Sequence, residues 1–118
     1  MSVNAARTIT INLTGDFIAD KIFAAAQNAV SPGAVTIHEL VIGANTIVVP
    51  LATGVTVKGA TIIPPSTNVQ SLILKGVTGD TGITLSKTDP TSIAFETAPV
   101  NFVLTAGGTV SGLRIIWT

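Results

Sequence analysis

The C-terminal stretch of this chain reads Leu113-Arg114-Ile115-Ile116-Trp117. Successive side chains of a β-strand point to opposite faces, so Leu113, Ile115 and Trp117 share one face, and Arg114 and Ile116 share the other. Three large apolar residues on one face predict a strand that packs against a hydrophobic core. We therefore expect this stretch to be a core strand of a β-sheet protein.

Similar short runs of β-branched residues fill the sequence upstream. Gly, Pro, Asn or Asp separate them roughly every eight to twelve residues, a spacing typical of sandwiches and barrels. Besides the C-terminal strand, the candidates are residues 7–13, 35–42, 46–50, 55–63, 69–75, 82–85, 92–95 and 101–105. The pair Pro64-Pro65 cannot donate ladder hydrogen bonds, so the strand before it must end there or lie at an edge. The pattern predicts a mainly β protein, a β-sandwich of about eight to nine strands.

One segment near the N-terminus has a different period. Asp16 is a suitable N-cap, and residues 31–33, Ser-Pro-Gly, supply a stop, so the sequence predicts one short helix over residues 16–30. Its apolar residues fall on one stripe: Ile18, Ile22, Ala25, Ala26 and Ala29. The stripe either packs on the sandwich or, because alanine is small, admits another subunit closely.

The composition points to an assembly. The chain has 118 residues, of which 10 % are charged, with a formal net charge of zero. Typical soluble domains carry about 25 % charged residues, and charge is depleted in interface cores. We expect a single domain over residues 1–118, with residues 1–6 as an N-terminal arm, whose surface is buried against other proteins. The alternative is a monomer coated in Thr, Ser, Asn and Gly.

Several partner classes lack their sequence signals. There is no cysteine and no cluster of Lys or Arg, so we expect no thiolate metal site, no nucleic-acid partner and no anionic membrane partner. A membrane span needs about 20 consecutive apolar residues, and the longest runs are far shorter. Residues 1–10 contain no secretory signal pattern.

The residues that could carry catalysis are few and scattered. His38 is the only histidine, and its neighbour Glu39 should point to the opposite face of a strand, so the two cannot readily cooperate. Asp80 and Asp89 lie in turn-forming contexts, where a carboxylate caps backbone N–H groups. A calcium site would need more clustered carboxylates than these two provide. We expect no catalytic, metal or cofactor site and no enzyme activity.

Four segments together carry a family resemblance. They are residues 44–50 (Ala-Asn-Thr-Ile-Val-Val-Pro), 61–65 (Thr-Ile-Ile-Pro-Pro), 74–83 (Leu-Lys-Gly-Val-Thr-Gly-Asp-Thr-Gly-Ile) and 102–107 (Phe-Val-Leu-Thr-Ala-Gly). With these turn-and-strand patterns the chain resembles small structural proteins of tailed bacteriophages. The resemblance implies a jelly-roll-like sandwich that joins a virion as a homo-oligomer, commonly a trimer. It does not extend to the predicted helix.

The leading functional hypothesis is a capsid decoration, or cement, protein that binds the major capsid protein and stabilises the head shell. Val3 in the arm, with Phe17, Lys21 and Phe23 in the predicted helix, are the candidate contact residues. One alternative is a tail, baseplate or fibre component. An alternative of another class is a carbohydrate or host-surface binding module, although the chain has no tyrosine and its single tryptophan falls on the predicted core face.

Overall fold

The computed structural model describes residues 6–11, 23–28, 34–50 and 56–118. Ten strands lie in these ranges: β1 Ala6–Ile11, β2 Phe23–Asn28, β3 Ala34–Leu40, β4 Gly43–Val48, β5 Gly59–Ile63, β6 Leu72–Lys75, β7 Ile83–Thr84, β8 Thr91–Ala94, β9 Asn101–Ala106 and β10 Val110–Trp117. Each of the nine strands expected from the sequence overlaps one of them. The predicted end of β5 before Pro64 is also confirmed, since that strand stops at Ile63.

The tenth strand, β2, corrects the helix prediction over residues 23–28. Phe23–Asn28 pairs antiparallel with β1, with Ala6 opposite Asn28 and Ile11 opposite Phe23. Helix propensity is a weak preference, and backbone pairing with a neighbouring strand overrides it in this Ala-rich run. The other residues of the predicted helix, and residues 1–5 of the predicted arm, lie outside the described ranges.

Strands β3 to β10 form two antiparallel sheets of four strands each. We call them the β10 sheet, with strand order β3-β10-β5-β8, and the β9 sheet, with order β4-β9-β6-β7. The pairing is nested: β3 pairs with β10, β4 with β9, β5 with β8, and β6 with β7. Contacts of β10 with β5 and of β6 with β9 complete the two sheets.

Both sheets contribute to one hydrophobic core, which makes the arrangement sandwich-like. Its buried members are Leu40, Ile47, Val49, Val57, Ala60, Ile62, Leu72, Phe102, Leu104, Ala106, Val110, Leu113, Ile115 and Trp117. The ring centroids of Trp117 in the β10 sheet and Phe102 in the β9 sheet are 6.0 Å apart, and the ring planes are tilted by 52°. The prediction of a C-terminal core strand is confirmed, because Leu113, Ile115 and Trp117 are all buried and Arg114 is exposed.

Candidate interaction surfaces

The outward face of the β10 sheet carries a group of aliphatic side chains beside the bonded hydroxyls of Thr61 and Ser92, although the outer face of a sandwich is ordinarily polar. Because Leu113, Ile115 and Trp117 point into the core, Arg114 and Ile116 point outward. Ile116 lies opposite Val35 on one side and Thr61 on the other, while Arg114 lies between Ile37 and Ile63. We call this surface the outer apolar face and define it by its four aliphatic side chains: Val35, Ile37, Ile63 and Ile116.

Two members of the outer apolar face are strongly exposed. Val35 is 54 % and Ile37 is 64 % exposed, and both belong to β3, one of the two edge strands of its sheet. Ile63 and Ile116, on the inner strands, are half-buried. Exposed aliphatic residues grouped on one face are typical of surfaces that contact another protein.

The outer apolar face also carries one charge of each sign. Arg114 is exposed in its middle, and Glu39 is exposed at the end of β3. The Glu39 carboxylate accepts a hydrogen bond of 3.0 Å from the backbone N–H of Gly112 in β10. This bond holds Glu39 against the neighbouring strand and leaves its second oxygen available to a partner.

A second exposed apolar feature is the turn from β3 to β4, which crosses from one sheet to the other. Val41 and Ile42 form this turn and are 60 % and 74 % exposed. The Asn45 side chain binds the backbone of this turn. Its Oδ1 accepts from the Val41 N–H at 3.0 Å, and its Nδ2 donates to the carbonyls of Val41, Gly43 and Leu104 at 2.9 to 3.1 Å. We call Val41 and Ile42 the apolar knob. The Asn45 bonds hold the backbone of its turn.

A third feature is a cleft of about 400 Å³ on the opposite side of the sandwich. It opens between β7 and β8, the edge strands of the two sheets that lie farthest from β4 and β3. Apolar side chains form most of its lining: Leu74, Ile83, Ile93, Phe95, Pro99 and Phe102. We call it the edge cleft. Lys75 and Asp80 also line it, so it combines an apolar lining with one cation and one carboxylate. Its volume falls in the range of protein pockets that hold a ligand or a side chain, roughly 300 to 1,000 Å³.

His38 takes part in a short chain of hydrogen bonds on the core-facing side of β3. The indole N–H of Trp117 donates to the Thr36 hydroxyl at 2.9 Å, and that hydroxyl lies 2.7 Å from Nε2 of His38. The Thr36 hydroxyl can donate to an unprotonated Nε2 or accept from a protonated one, so the tautomer of His38 sets the direction of this bond. Burial lowers the pKa of His38 below its usual range, which favours the neutral form. Glu39 points to the other face, as the alternation predicted, so no carboxylate orients this imidazole.

The two aspartates singled out from the sequence lie in turns. The Asp80 carboxylate accepts from the Val77 N–H at 3.0 Å, which confirms its predicted capping role. At the other turn the backbone N–H of Asp89 donates to the Ser86 hydroxyl at 3.0 Å. Within the described ranges no three His, Asp or Glu side chains gather closely enough to hold a metal ion.

The structure does not test the predicted contact residues. Val3, Phe17 and Lys21 lie outside the described residues, and Phe23 is described only as a β2 position opposite Ile11. Sequence reasoning missed the apolar knob and the edge cleft. Val41 and Ile42 look like the end of a strand in the sequence, and the cleft joins residues from β6 to β9 that only the folded topology brings together.

Comparison with models of protein families, with curated proteins and with solved structures found no significant match. In the part of the chain that the structure describes, no helix has the length and apolar character that a membrane span requires.

Proposed function

We propose that this chain is a structural protein of a tailed-bacteriophage virion, a decoration protein that binds the head shell as a homotrimer. The outer apolar face is the observation that carries the proposal. A face with four aliphatic side chains, two of them more than half exposed, suits a protein whose work is to cover another protein surface.

The nested strand pairing supports a jelly-roll assignment for β3 to β10. A jelly roll has eight strands in two sheets, and the class includes viral capsid domains. The segments that resemble phage structural proteins fall on this framework: residues 44–50 on β4, 61–65 at the end of β5, 74–83 from β6 to β7, and 102–107 on β9. The resemblance and the strand order therefore concern the same part of the molecule.

Arg114 restricts the chemistry of the partner. Covering this guanidinium with an apolar surface would leave a buried charge without an acceptor, which is costly. We therefore assign to the outer apolar face a partner surface on the major capsid protein that is flat and apolar and places a carboxylate opposite Arg114. Stabilisation of the shell then follows from mass action, because a protein that binds only the assembled shell shifts the equilibrium toward it.

Quantitative mass spectrometry of purified virions tests the location. We expect hundreds of copies per particle, as symmetric positions on a shell require. A few copies per particle would contradict decoration and would favour the tail, baseplate or fibre alternative.

Binding to undecorated shells tests the surface. The variant Ile37→Asp should weaken binding about tenfold or more, since burying a single Ile side chain contributes roughly 1.5 to 3 kcal/mol. Val48→Asp is the matched control, because Val48 is equally exposed and lies on β4, in the other sheet. Equal binding by both variants would remove the outer apolar face from the proposal.

A carbohydrate-binding function is the second candidate, favoured by a polar depression of about 240 Å³. Thr67, Asn68, Gln70, Thr109 and Ser111 contribute to its lining, and lectins also use jelly rolls. The Asn68 side chain is already engaged, because its Nδ2 donates to the carbonyls of Gln70 and Lys87. Glycan-array binding that Gln70→Ala abolishes would support this function, and an array without any bound glycan would count against it.

A further inference from the structure

We propose that copies of this chain join head to tail, with the apolar knob of one copy seated in the edge cleft of the next. The inference rests on the proposed homo-oligomer and specifies the contact that would build it. It assigns to the edge cleft a ligand of defined chemistry, the two aliphatic side chains of Val41 and Ile42 of a second copy.

The two surfaces match in chemistry and rigidity. The knob presents two aliphatic side chains in an exposed turn, and the Asn45 side chain bonds to Val41 and Gly43 and ties them to Leu104 of β9. A turn that is already fixed loses little conformational freedom on docking. The cleft offers Leu74, Ile83, Ile93 and Phe102 as an apolar lining around about 400 Å³. Docking would therefore remove apolar surface from water on both partners.

The charges beside the two surfaces are complementary. Glu39 lies two residues before the knob, and its second carboxylate oxygen is left available by the bond to Gly112. Lys75 belongs to the lining of the cleft, and the Asp80 carboxylate in the same lining already accepts from the Val77 N–H. A knob seated in a cleft would place a carboxylate and an ammonium group at the same contact, and this pairing fixes the orientation in which the copies meet.

The topology lets one copy use both surfaces at once. The knob joins β3 and β4, which form one side of the sandwich, whereas the cleft opens between β7 and β8 on the other side. A contact between two different surfaces is heterologous, and repeated contacts close into a ring when the rotation permits. Closure strengthens a small contact, because the last junction forms within one assembly. A homotrimer is the smallest ring that contains more than two copies.

Mixing two variants tests the contact. Ile42→Asp destroys the knob and Ile83→Glu places a charge in the cleft, and both residues are exposed, so the fold should survive, which circular dichroism would verify. In sedimentation velocity over a concentration series, we expect the unmodified chain to form the ring and each variant alone to have a dissociation constant at least about tenfold higher. An equimolar mixture should form dimers and nothing larger, because only one intact knob and one intact cleft remain in each pair.

Val69→Asp is the matched control, since Val69 is as exposed as Ile42 and lines neither surface. This variant should associate like the unmodified chain. The charge pair is tested in the same way: Glu39→Lys and Lys75→Glu should each weaken association, and the doubly reversed chain should recover it.

The proposal is wrong if the mixed variants remain monomeric, or if Ile42→Asp associates as well as Val69→Asp. These results are separate from the test of function. Virions with hundreds of copies, together with mixed variants that do not pair, would overturn the knob contact alone. Virions with a few copies, together with a clear mixed dimer, would overturn decoration alone.

Discussion

Gly112 lies where β10 departs from regular pairing with β3. The register passes from Val110 opposite Leu40 to Leu113 opposite His38, so two residues of β10 face one residue of β3. Gly112 adopts a φ of +78° at this bulge, a conformation that costs an L residue roughly 1 to 2 kcal/mol. Its N–H points to the Glu39 carboxylate and so links the bulge to the outer apolar face.

Gly112→Ala should lower the free energy of unfolding by about 1 to 2 kcal/mol, as measured by urea denaturation. No atom lies within 4 Å of the added Cβ, so the whole loss comes from the backbone conformation. Gly79→Ala is the control, because Gly79 also has open space around its Cβ and has no positive φ. An equal loss of unfolding free energy in the two variants would show that the positive φ of Gly112 does not cause the effect.

Alternation predicted the side-chain directions that depend only on sequence neighbours. The opposite faces of His38 and Glu39, and the buried row of Leu113, Ile115 and Trp117, needed no knowledge of any partner strand. The bulge at Gly112 was not predicted, since it arises from the match between β10 and β3, which are far apart in sequence.

At the scale of elements, the turn between β3 and β4 depends on a single side chain. The Asn45 side chain binds backbone groups of Val41 and Gly43 and also the carbonyl of Leu104, so it ties the turn to β9. The turn must cross between sheets within two residues, and Asn45 satisfies both backbone polar groups of Val41 at the crossing.

Asn45→Ala should lower the free energy of unfolding by about 2 kcal/mol in urea denaturation, since each net hydrogen bond contributes about 1 kcal/mol and some of these are exposed. Asn101→Ala is the matched control, because Asn101 is exposed at the first position of β9. If the two alanine variants lose the same stability, Asn45 does not hold the turn.

Strand positions were predictable because Gly, Pro and Asp mark the breaks between β-branched runs. Phe23–Asn28 was not, because three consecutive alanines favour a helix and the pairing with β1 that decides otherwise is not local. Strand order was out of reach for the same reason: alternation states which residues share a face and not which strand lies beside it.

The whole sandwich should unfold in one step. Trp117 in the β10 sheet packs against Phe102 in the β9 sheet, so neither sheet keeps its apolar face covered without the other. In urea, Trp117 fluorescence and far-UV circular dichroism should therefore give the same midpoint. Trp117 suits this measurement because it is the only tryptophan in the sequence.

Two core variants extend this prediction. Ile115→Ala in the β10 sheet and Leu104→Ala in the β9 sheet should each lower the free energy of unfolding by about 2 to 5 kcal/mol. Each should shift the fluorescence and circular-dichroism midpoints together. A variant that moved one signal and left the other in place would show that the sheets unfold separately.

The pairing of Ala34 with Trp117 places the start of β3 beside the end of β10. Tension applied to the chain at these two points would act across the strands and peel them apart, breaking one hydrogen bond after another. The same ladder, loaded along its strands, would have to break all its bonds together. Pulled at these two points, the pair of strands would therefore separate at a lower force than when it is pulled along the strands.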